Sequence, residues 1–208
     1  MIPIETIVLF FGASVALSLA PGPDNIFVLT QSALYGRNAG VLVTAGLCTG
    51  LLVHTAAVSL GVAAIFQTSV LAFNILKIVG AGYLLYLAWL AFRAGAAKID
   101  DSGDTKLEWR KLYARGVVMN ITNPKVAIFF LAFLPQFADP ARGSITIQML
   151  IFGGIFILAA FLIFGSIAWS AGFLGEWLKG SDKAQVIMNR IAGTVFAGLA
   201  LRLATSER

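Results

Sequence analysis

Residues Ala20-Pro21-Gly22-Pro23-Asp24-Asn25 place two prolines, a glycine and an acid between the apolar runs 7–19 and 26–34. Each proline removes an amide hydrogen and pushes the preceding residue out of the α region, so a helix here loses backbone hydrogen bonds. Lipid supplies no replacement, and such a break is tolerated only where it faces protein or a watery cavity. The hexapeptide therefore predicts a helix broken inside a membrane. Broken helices with a charge at the break are where secondary transporters build their binding sites.

The rest of the chain fits a membrane protein. Of 208 residues, 59% are hydrophobic and 12% charged, with a mean hydropathy of +0.88, outside the range of soluble domains. At about 20 apolar residues per span, about six spans fit: 4–34 (broken), 40–66, 70–93, 112–137 (broken), 145–172 and 184–204. The expected fold is all-α, a polytopic integral membrane protein forming one transmembrane domain. Glu5, with no Lys or Arg before the first apolar stretch, argues against a cleaved signal peptide.

A net charge of +5 raises the question of nucleic acid, but the basic residues lie between spans. Arg93, Lys98, Lys106, Arg110, Lys111 and Arg115 fall in one connection, Arg37 in the first, and Lys179 and Lys183 in the fifth. The opposite connections supply only Arg142. The positive-inside rule accounts for this asymmetry and puts the basic set in the cytoplasm with both termini outside. Were one broken segment to turn back without crossing, five spans would result and the termini would part. Cys48 is the only cysteine, which excludes a disulfide framework and a thiolate metal cluster.

The two broken segments align as an internal repeat. Pro23 and Asp24 lie over Pro124 and Lys125, and Lys77-Ile78-Val79-Gly80 over Arg190-Ile191-Ala192-Gly193. The extra residues of the second copy are assigned to a long fifth connection, 172–183. Repeat one is 1–94, a cytoplasmic loop covers 95–111, and repeat two is 112–208. Three spans is an odd number, so the copies are inverted, the plan of alternating-access transporters.

At each break a proline beside a small or polar residue signals a new helix start. Such an N-terminus suits a carboxylate, and Asp24 offers the charge for an ammonium. The candidate substrate-binding residues are Pro21, Gly22, Pro23, Asp24, Asn25, Asn120, Asn123, Pro124 and Lys125, with Thr122 as a further hydrogen-bonding group. Opposite charges at Asp24 and Lys125 are expected to neutralise one another when the site is empty. A kink that only shapes the bundle, with Asp24 as a cap, is the plainer alternative.

His54, the only histidine, is a candidate for proton coupling because imidazole is the side chain suited to that role, and Asp24 is the other, its protonation releasing the substrate; a cross-bundle packing bond is the competing role for His54. Gly46-x-x-x-Gly50 permits close helix packing, within the chain or at a homodimer seam. Asp100-Asp101-Ser102-Gly103-Asp104 reads as a solvated loop. No hydrolase, zinc-protease or phosphate-loop motif accompanies His54, so no enzyme and no cofactor is expected.

The Pro21-Gly22-Pro23 break, the Gly36-Arg37-x-x-Gly40 turn and Gly46-x-x-x-Gly50-x-x-x-His54 recur in one family, with Asn120-x-x-Asn123-Pro124-Lys125, Phe129-Phe130 and Leu134-Pro135-Gln136-Phe137. Together they resemble, end to end, the LysE/RhtB family of bacterial inner-membrane exporters. The resemblance implies outward transport of an amino acid or derivative, driven by protons. Divalent-metal efflux is the alternative, but Asp24, Cys48 and His54 are few and badly phased as ligands. Glu176 is the only other acid near a span that could meet a cationic side chain, which favours a neutral amino acid.

Overall fold

The computed structural model describes residues 2–20, 22–68, 70–93, 108–179 and 181–205, with side-chain surroundings left aside in stretches that include 62–70 and 171–180. Pro21 and the acidic loop Asp100–Asp104 lie outside the described residues, as do the side chains of Lys77 and Glu176.

All described secondary structure is helical: α1 (Ile4–Leu19), α2 (Pro23–Tyr35), α3 (Arg37–Thr68), α4 (Val70–Arg93), α5 (Trp109–Ile121), α6 (Pro124–Ile128), α7 (Ile145–Lys179) and α8 (Asp182–Thr205). Short π and 3-10 turns, Phe129–Phe133 and Leu134–Phe137, continue α6. Pro135 has no amide hydrogen to return to the preceding turn, a local reason for the ladder to change register there. Between α2 and α3 the chain reverses at Gly36, whose φ of 84° favours a residue without Cβ.

Both prolines begin helices as expected. Pro23 follows the extended Gly22, Pro124 follows the extended Asn123, and each occupies the opening turn, where a missing amide is harmless. The α1 and α2 axes meet at 61°, and those of α5 and the segment from Pro124 to Phe137 at 48°. Among the described residues two stretches, Arg37–Gly61 and Ile145–Ser170, are by themselves long and apolar enough to cross a membrane; each bent pair counted as one span raises the total to four. The boundaries expected for α4 agree with Val70–Arg93. The long fifth connection does not: α7 stays helical through Lys179. Residues 172–179, expected in that connection, belong to the helix.

Packing gathers the broken pairs around α3 and α7. These two helices lie against one another, α5 runs along α3, α1 along α7, α2 leans on both, and α4 pairs with α8. The α3–α5 crossing depends on glycine at both positions. A Cβ on Gly46 would strike the Tyr113 carbonyl oxygen, and one on Gly116 would lie 2.6 Å from the Val43 carbonyl oxygen. Gly46 and Gly50 are therefore spent on packing within the chain, the small-residue contact of membrane helices.

Beneath the breaks, Phe10, Phe129, Phe137 and Phe152 close a buried aromatic layer, with Phe10–Phe152 centroids 4.9 Å apart and Phe10–Phe137 5.0 Å apart in an edge contact. At the far end of the 3-10 turns, the buried Gln148 holds the connection into α7. Its side chain donates to the Asp139 and Gly143 carbonyls and accepts from the Asp139 amide.

Candidate functional site

The two breaks meet inside the bundle. Asp24, one residue into α2, is 1% exposed, and Asn120, at the end of α5, is 1% exposed. The Asn120 side-chain amide donates to Asp24 Oδ2 at 3.4 Å. Gly50 of α3 leaves room for Asn120, since a Cβ there would lie 2.7 Å from that of Asn120. The glycine of the Gly46-x-x-x-Gly50 pair thus lets Asn120 sit against α3.

Asn123 caps α6. Its Oδ1 accepts from the Lys125 amide at 3.0 Å, and its own amide donates to the Asn120 carbonyl at 3.0 Å. That carbonyl also accepts from His54 Nε2 at 3.1 Å. A carbonyl oxygen only accepts, so Nε2 carries the hydrogen in this contact. His54 is half-buried and packs its ring 5.7 Å from that of Phe130. The contact ties α3 to the end of α5. Thr122, on the exposed side, turns its hydroxyl back to the Val118 and Met119 carbonyls.

Lys125 stands apart from its expected partner. Among the described residues the ion pairs are Lys111–Glu108 and Arg142–Asp139, both on the surface. Asp24 and Lys125 are close enough to feel one another's charge but form no direct pair. The Lys125 ammonium donates instead to the Ala20 carbonyl at 3.0 Å and the Leu17 carbonyl at 3.3 Å. Those carbonyls end α1 and have no partner in their own helix, which is why a cation settles on them.

The remaining sequence candidates divide by position. Asn25 is buried and donates to the Ser18 carbonyl at 2.6 Å, again closing the end of α1. Gly22 lies beside Lys125. Pro23 and Pro124 are exposed and act by starting helices, not by lining the meeting point. Sequence reading missed Gly50 as a support for Asn120, and Ser18 as part of the buried polar set; a small residue facing a polar one across a helix crossing was the only signal for the former.

Several buried polar atoms at the breaks make no well-formed hydrogen bond within the protein: Asp24 Oδ1, Asn25 Oδ1, Asn120 Oδ1, Asn123 Nδ2 and Ser18 Oγ, the Asn123 side chain facing the Asp24 carboxylate. Native proteins satisfy nearly all buried polar groups, and these open ones all belong to residues of the two breaks. Among the described residues no three His, Cys, Asp or Glu side chains group as metal ligands would.

An apolar helical chain with two such interrupted helices, their polar ends buried together, has the architecture of a membrane transport protein. The LysE type translocator family matches residues 15–207, and the chain belongs to that family. It is an efflux-type membrane protein, not an enzyme. It is 35% identical to the homoserine/homoserine lactone efflux protein of Salmonella typhimurium over 93% of each chain. It is 34% identical to the protein of the same name from Salmonella typhi, over 93% of each chain. An uncharacterized membrane protein of Vibrio cholerae is 32% identical over 93% of this chain and 94% of its own. No solved structure matches the chain significantly.

Proposed function

We propose that this protein exports a small neutral amino acid or its derivative, homoserine and its lactone being the first compounds to test, across the bacterial inner membrane by proton antiport. The observation that carries the reading is the set of unsatisfied polar atoms on Asp24, Asn120 and Asn123, held 1% to 4% exposed where the two breaks meet. Asp24 Oδ1 and Asn120 Oδ1 accept from a substrate ammonium; Asn123 Nδ2 donates to its carboxyl or lactone oxygen. Proton coupling falls to Asp24: a proton from outside neutralises the carboxylate and weakens its hold on the ammonium. Loss of the proton on the cytoplasmic side restores it.

The same reading takes the chain as about six spans in two inverted repeats. In its support, inversion pairs α3 with α7 and α4 with α8, and both pairs are in contact. It also equates the α3–α5 contact with the α7–α1 contact, and both are extensive. In that arrangement Arg37 and Arg115 mark the cytoplasmic side.

The test is uptake of labelled homoserine and homoserine lactone into inverted membrane vesicles holding the protein, with and without a proton gradient. Saturable accumulation that collapses with the gradient is the expected result. Failure to accumulate either compound or any of a broad amino-acid panel overturns the reading.

A further inference from the structure

We propose that Lys125 is a positioning residue and not a ligand for the substrate carboxylate: its ammonium clamps the end of α1 and thereby fixes how the first break faces the second. The transport arm of its test rests on the export reading above; the structural arm does not.

The carbonyls that end an α-helix lack partners within it, and inside a membrane water does not replace them. At the end of α1 each bonded carbonyl has an identifiable donor. Ala16 O accepts from the Ala20 amide, Ser18 O from Asn25, and Leu17 O and Ala20 O both from Lys125. Of these donors only Lys125 comes from the second half of the chain. It reaches across because Gly22 leaves room: a Cβ there would lie 3.1 Å from Nζ. Gly22 is extended, with φ −174°, a conformation any residue adopts. The backbone does not require glycine here, and the neighbouring ammonium is the remaining reason for it.

The second break has one bond of the same kind. His54, from α3 in the first half, donates to the Asn120 carbonyl at the end of α5. Each interrupted helix therefore has its C-terminal end closed by a nitrogen from the other half of the chain. Lys125 has already committed two of its three N–H bonds, and it is 9% exposed. A carboxylate that drew the ammonium away would strip two carbonyls of their donor at once. The groups that remain unsatisfied at the two breaks belong to Asp24, Asn120 and Asn123, with Asn25 and Ser18, which leaves substrate contact to these and not to Lys125.

Purified wild type, K125M and K125R are compared in proteoliposomes with homoserine and homoserine lactone, which share an ammonium and differ in the carboxylate. K125M is expected to slow both compounds by the same factor, on the order of tenfold in Vmax for loss of a partly buried helix-end cation. KM stays unaltered for each, and K125R recovers part of the rate. A KM rise in K125M confined to homoserine, with the lactone unaffected, overturns the proposal.

Hydrogen–deuterium exchange on the same proteins in detergent decides the matter without transport. Faster exchange over residues 13–20 in K125M than in wild type or K125R is expected. Unchanged exchange there refutes the clamp. Should wild type move neither compound, the export reading falls while the exchange result still decides the role of Lys125.

Discussion

The two breaks are built by one local rule and held by different means. Both restart at a proline in the opening turn after an extended residue. Besides the bond from His54, the second has local support: Asn123 caps α6 with its own side chain and Thr122 folds back on α5. The first has no side-chain cap at Gly22, and its α1 end depends on Lys125 from the other half of the chain. A self-capped break keeps its shape when neighbours move. A break with no local cap depends more on the packing between the halves, and the first is that break.

The largest effect expected from disturbing this contrast is D24N. It leaves the volume at the first break unaltered and removes the charge that meets a substrate ammonium. Hydrogen bonds to charged groups are worth about 1.5–3 kcal/mol, so export should fall by roughly 10- to 100-fold. Size-exclusion behaviour and helix content should stay at wild-type values. Transport by D24N near the wild-type rate would remove Asp24 from the site and leave the two breaks as structural kinks.

G50A comes next. Its Cβ meets the Asn120 side chain at 2.7 Å, and overpacking of this kind costs about 1–3 kcal/mol. Because Asn120 moves with it, both stability and transport should fall, whereas G154A, which meets nothing within 4 Å, should alter neither. Thermal unfolding in detergent together with vesicle uptake measures both. Equal behaviour of the two variants would mean that Gly50 does not support the site.

Much of this arrangement could be read before any coordinates. The helix restarts at Pro23 and Pro124 follow from residue chemistry confined to three or four neighbours, and so does the turn at Gly36. The convergence of Asp24 with the Asn120–Asn123 segment followed from aligning the halves. The partner of Lys125 did not, because its acceptors are the backbone carbonyls of Leu17 and Ala20, and a carbonyl has no signature in sequence. An acid one place after the matching proline was the visible choice for a buried lysine. The length of α7 was missed for a related reason: Gly172, Gly175 and Lys179 suggest a connection by composition, while the backbone stays helical through Lys179.

The smallest effect sharpens the contrast most, because it separates a local cap from a distant one. N123A removes the side chain that accepts from the Lys125 amide, a cap worth typically about 1 kcal/mol, so stability should drop by about that much. It also removes Nδ2, an unsatisfied donor facing the site. N123S keeps a capping oxygen and loses the amide donor without adding a charge. If the local cap dominates at the second break, N123S should unfold at nearly the wild-type temperature yet raise KM for export, and N123A should show both defects. Equal destabilisation in the two variants would mean that the second break, like the first, is held chiefly by groups beyond its own residues.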